Sequence, residues 1–93
     1  MHVANIKPKK NWAKLEDLIT ESIGETGTLA EGKTYEFYNN GGATAQVISQ
    51  EKEPTVNDVG RMIPAGGAFK YTMSVNVCYV KASGECDLHV EEV

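Results

Sequence analysis

No window of this 93-residue sequence holds the ~18 consecutive apolar residues that a membrane-spanning helix needs. No apolar run follows the first basic residues, so a secretory leader is not expected either. The expectation is a chain that begins at its own Met1, is made in a cytoplasm and has no membrane partner. Cysteine is scarce: Cys78 and Cys86 are the only two, a pair that could form one bridge at most. Histidine is as sparse, with His2 and His89, short of the four clustered ligands of a structural zinc site. An excess of positive charge is also missing. Nine basic residues against thirteen acidic leave a net charge of −4, which argues against nucleic acid as a partner. The glycines Gly41 and Gly42 are not followed by the Gly-Lys-Ser/Thr of a phosphate loop. The acidic loop with Glu51, Glu53, Asn57 and Asp58 lacks the Asp-x-Asp-x-Asp-Gly frame of a calcium site, and reads as solvated.

What is present is one domain's worth of chain with an ordinary apolar fraction of 41%. A domain of this size buries a smaller share of its surface than a larger one, and self-association would compensate. Basic residues Lys7, Lys9 and Lys10 gather near the N-terminus, and Glu91 and Glu92 near the C-terminus. Residues 1–10 contain Pro8 and show no clean period. They read as an extended arm that can carry a short strand at His2–Ile6, free or docked on a neighbouring subunit. Residues 11–93 read as a single β-rich domain.

Trp12, Leu15, Ile19 and Ile23 fall at helical spacing, with Asn11 as a candidate N-cap and Gly24 as a stop. A single turn around Trp12–Leu18 would anchor the Trp equally well. After Gly27 the period becomes two. Tyr35 and Phe37 face one way, and Thr34, Glu36 and Tyr38 the other. A three-residue hairpin loop at Asn40-Gly41-Gly42, with a glycine in the left-handed region, would set Tyr35 opposite Val47 and Phe37 opposite Ala45, apolar against apolar. The polar stretch 50–60 reads as a connection. Pro64 suits position i+1 of a type I turn, with Gly67 beyond it. Phe69, Tyr71 and Met73 then alternate with Lys70 and Thr72. A second hairpin about Ser83-Gly84 would set Val77 opposite Val90 and Tyr79 opposite Leu88, with Cys78 opposite His89. In that register Cys86 lies three residues along from Cys78, roughly 10 Å at the strand rise and beyond the ~7 Å bridging limit. Two free thiols are predicted. Five or six strands with close-spaced turns and no βαβ rhythm predict a compact antiparallel β-sandwich or barrel with one short N-terminal helix.

The nearest approach to a reaction centre is Cys78 opposite His89, with Asp87 beside it. A catalytic pair of that kind needs a lowered thiol pKa, a base in reach and an oxyanion donor, and only the proximity is supplied. Glu91 and Glu92 are adjacent and point to opposite faces of a strand. The residues therefore predict no catalytic group, no metal and no cofactor. Trp12 and Tyr38 are candidate contact aromatics, and Lys7, Lys9 and Lys10 candidate contact charges.

The stretches LAEGKTYEFYNNGGATAQV, EKEPT, GRMIPAGGAFKYT and CDLHVEEV, from Leu29 onward, resemble small bacteriophage and prophage virion proteins. The matching features are the Gly32–Tyr35 lead into a strand, the Tyr38–Gly41 tip, the Glu51–Pro54 loop, the Ile63–Gly66 turn and the short strand Leu88–Val93. The resemblance implies a non-enzymatic β-sandwich of a virion, of capsid decoration, head-fibre or tail type, that binds capsid or tail subunits or itself as an oligomer. It implies no catalytic residue. The other reading is a carbohydrate- or cell-surface-binding module that stacks Trp12 and Tyr38 on sugars.

Overall fold

The computed structural model describes residues 3–24, 29 and 31–93; His2 and Gly27 lie outside them. The elements are β1 (Val3–Ile6), β2 (Ala13–Lys14), α1 (Leu15–Ile23), β3 (Thr34–Asn39), β4 (Ala45–Ser49), β5 (Arg61–Ile63), β6 (Ala68–Thr72), β7 (Cys78–Ala82) and β8 (Leu88–Glu92). Among the described residues they form two four-stranded sheets, ordered β1-β8-β3-β6 and β2-β7-β4-β5. Every pairing is antiparallel. The pairs are nested from the ends inward: β1 with β8, β2 with β7, β3 with β6 and β4 with β5. One long double strand rolled over on itself gives this pattern, which is that of an eight-stranded jelly roll. The predicted sandwich with one short helix is thus what the chain forms, with eight strands rather than the expected five or six, because β1 and the two- and three-residue strands β2 and β5 are too short to show a period.

The two expected hairpins do not exist as ladders. β3 pairs with β6 and β8, and β4 with β5 and β7, so residues 40–44 form an arch between sheets. Phe37 lies beside Val90 and Phe69 rather than Ala45. The links are short, but β3 and β4 each find a partner on both sides only by lying in different sheets. Tyr35, Phe37, Ala45 and Val47 are buried as expected, facing one another across the core. Neither Gly41 nor Gly42 adopts a positive φ. The Ser83-Gly84 segment is likewise an arch, and Cys78 pairs with Ser49 while His89 pairs with Asn5 and Tyr38. On β7 the inward set is Cys78, Val80 and Ala82, one residue out of phase with the expected Val77 and Tyr79. Tyr79 is nonetheless only 3% exposed; it shares its side of β7 with Lys81, which lies over Trp12.

The N-terminal segment does not leave the domain: Val3–Ile6 pairs with β8 of the same chain, and Ile6 is buried. Burying Ile6 and completing the ladder of β8 favour this docking. Helix α1 starts later than expected, with Lys14 rather than Asn11 at its N-cap, and ends at Gly24. Its Leu15, Leu18 and Ile19 are buried in the core, and it packs on β1, β2 and β7. In the β5–β6 turn the Gly67 N–H donates to the Pro64 carbonyl at 2.8 Å. Pro64 is therefore position i, and Gly66 takes i+2 with φ 78°, a value glycine adopts without steric cost. Phe37, Phe69 and Tyr71 form an aromatic cluster with centroids 5.8–6.5 Å apart. Burial of a ring such as Phe37 contributes about 1.5–3 kcal/mol.

Candidate functional site

The expected Cys78–His89 pair is not brought together. Cys78 lies inside the sandwich, and its S–H reaches the Tyr79 carbonyl at 3.9 Å. Burial first, then the nearby Glu16 carboxylate, pushes its thiol up to about 12. Cys86 is also buried, its S–H donating to Asn39 Oδ1 at 3.2 Å. Burial and Asp87 push this thiol up as well. His89 is on the outer face of the other sheet, with Nδ1 2.9 Å from Asn5 Oδ1 and Nε2 3.9 Å from Glu91 Oε2. Both cysteines are free, as predicted, although the hairpin register invoked for that is not the one present. A buried neutral thiol is a poor nucleophile. Native protein is therefore expected to be silent toward a thiol reagent at neutral pH and to titrate two thiols after denaturation; rapid native labelling would contradict this. Among the described residues no three His, Cys, Asp or Glu side chains are grouped to hold a metal ion.

The five candidate contact residues are not brought together as one surface. Trp12 is half-buried just before β2, and its indole N–H donates to the Thr55 carbonyl at 3.0 Å. Lys81 Nζ stands 4.7 Å from its ring centroid, a cation–π arrangement. Trp12 thus ties the polar connection 50–60 down, and lines a cleft with Lys10, Glu53, Pro54, Val56 and Lys81. Tyr38 is 42% exposed on the outer face of β3, between His89 and Ala68. Lys7 forms an exposed ion pair with Asp87 at 3.7 Å. Lys9 holds the β7 end through its carbonyl, which accepts the Ala82 N–H.

Three features escaped the sequence reading. Asn39 is fully buried and its side chain makes four hydrogen bonds. Nδ2 donates to the carbonyls of Ala43 and Ile63 at 2.8 and 2.9 Å, and Oδ1 accepts the Gly41 N–H at 2.9 Å and the Cys86 S–H. The available signal was its phase, since Asn39 continues the inward row of Tyr35 and Phe37. Ser49 is a second buried polar anchor, donating to the Val77 carbonyl and accepting the N–H groups of Ser74 and Val75. The third is a run of exposed apolar residues on one segment, Val56 at 84%, Val59 at 69% and Met62 at 55%. No protein-family model, curated protein or solved structure matches this chain.

Proposed function

We propose that this chain is a non-enzymatic structural or accessory protein of a phage or prophage particle, binding repeated capsid or tail subunits through its surface. The observation that carries the reading is the nested strand order β1-β8-β3-β6 over β2-β7-β4-β5, an architecture that recurs in viral capsid domains. The fold is an analogy and not a site, so the surface has to supply the rest. Tyr38 stands on an open sheet face, and exposed apolar residues cluster between positions 56 and 62. The thiols, the groups best suited to nucleophilic chemistry, are sealed in the core. The resemblance of the segment from Leu29 onward to small virion proteins points the same way.

Jelly rolls also serve in lectins, which keeps a carbohydrate-binding reading in view. The Trp12 ring already carries Lys81 on it, which leaves Tyr38 as the aromatic for stacking. The experiment that separates the two is gradient fractionation of particles released from producing cells, with the chain quantified by mass spectrometry. A constant ratio of this chain to the major capsid or tail protein across the particle peak is expected. A chain that stays with free soluble protein, together with a glycan-array signal abolished by Tyr38→Ala, would replace the particle reading with the carbohydrate one.

A further inference from the structure

Each sheet has two edges, and they are not equivalent. On the β1/β2 side, α1 packs against both edge strands. On the other side the edges are β5 and β6. The exposed middle of β6 is Lys70, the residue type that blunts a sheet edge. On β5 the corresponding outward residue is Met62, 55% exposed.

The backbone of β5 is oriented to pair. The Ser83 N–H donates to the Thr44 carbonyl, so Thr44 turns its backbone groups toward β7. By alternation Ala45 and Val47 turn theirs toward Ile63 and Arg61, their partners on β5. The N–H and C=O of Met62 therefore point away from the sheet, into open space. Beyond it the ladder is closed off: the Gly60 N–H is taken by Gln46 Oε1 at 3.0 Å, and the Pro64 carbonyl by Gly67. A long foreign strand is thereby excluded, and a short two-fold contact fits.

We propose that β5 pairs antiparallel with β5 of a second copy of this chain, on a two-fold axis at Met62. Met62 N–H then donates to the carbonyl of the partner's Met62 and the reverse, joining two four-stranded sheets into one. Arg61 falls opposite the partner's Ile63, so no like charges face each other. Arg61 is itself drawn back, its guanidinium 4.6 Å from the Phe69 centroid. Val59 and Met62, 69% and 55% exposed, are the apolar residues of this segment nearest the axis, while Val56 lies apart in the Trp12 cleft. Two such side chains supply only a small part of the roughly 800 Å² per partner of a standard interface. Two hydrogen bonds and a patch of this size make a weak, concentration-dependent dimer. The assignment rests on the reading of the chain as a scaffold that offers contacts and specifies its self-association; it is independent of which particle subunit is bound.

Sedimentation velocity of the full chain over a wide concentration range tests it, with hydrogen exchange at the Met62 amide. A monomer–dimer equilibrium is expected, with Met62 protection rising with concentration. Met62→Lys and Val59→Asp, both at exposed positions, are expected to weaken dimerisation at least tenfold with unchanged circular dichroism, while Tyr38→Lys leaves it intact. A monomer at every concentration, a trimer, or a dimer indifferent to Met62→Lys and Val59→Asp would overturn the proposal. Because the particle ratio is measured separately, loss of the dimer with retained particle binding would sink this inference alone.

Discussion

Replacing Asn39 with leucine is expected to remove roughly 3–5 kcal/mol of stability, a large part of what a domain of this size has. The Ala43 carbonyl and the Gly41 N–H would lose their partner inside the fold, and the Ile63 carbonyl one of its two. Each buried polar group left unpaired costs about 1–3 kcal/mol. Leucine has the same branched shape and number of side-chain heavy atoms but is bulkier, so a cavity does not explain the loss. Asn39 joins the β3–β4 arch, β5 and the Cys86 segment, and its own backbone bonds Gly66 and Gly67 at 2.7 and 2.9 Å. Denaturant unfolding should show a lower midpoint with little change in slope. A shift worth less than about 1 kcal/mol would mean that water or backbone adjustment replaces the amide.

Adjacent glycines are expected to respond oppositely to alanine. A Cβ on Gly41 would sit 2.4 Å from Cys86 Cα and 2.6 Å from the Asp87 nitrogen. Those are backbone atoms, so one arch would have to lift off the other. Gly41→Ala is expected to cost about 3 kcal/mol or slightly more, the upper part of the range for overpacking. A Cβ on Gly42 meets nothing within 4 Å, and its φ is not positive. Gly42→Ala should therefore be neutral or stabilise by about 0.4–1 kcal/mol through the unfolded chain. Thermal unfolding of the pair gives the answer; equal effects would contradict the interlocked arches.

The two arches show where the sequence was legible and where it was not. Period-two burial identified the inward rows Tyr35–Phe37, Phe69–Tyr71–Met73 and Leu88–Val90, all of which line the core or pack against it. Periodicity reports which face a residue takes, and is silent on what lies beside it. A hairpin sets apolar residues side by side on one sheet; an arch sets them face to face across two. Both satisfy the same pattern, and the short Asn-Asn-Gly-Gly link suits either. On β7 the phase itself was ambiguous, because Tyr79 is buried on the side away from Cys78 and Val80. Asn39 was hidden by its type: asparagine before Gly-Gly reads as turn chemistry, and here it serves the turn from inside the core. The candidate contacts were less legible still. Trp12 and Tyr38 were recognisable as large aromatics, but pairing between distant segments, such as Trp12 with Thr55, decides which of them is left exposed. Apolar residues at 56, 59 and 62 recur every third position, which is not the alternation of a strand, and the polar residues, Pro54 and Gly60 around them read as a connection.

Backbone proximities from isotope-edited NMR test the strand order most directly. Cross-strand contacts between the Tyr38 and His89 backbones, and between those of Gln46 and Lys81, are expected. Ladder contacts joining Tyr35 to Val47 and Tyr79 to Leu88 would restore the two hairpins, and with them a fold in which neither the β5 edge nor the Asn39 anchor has its place.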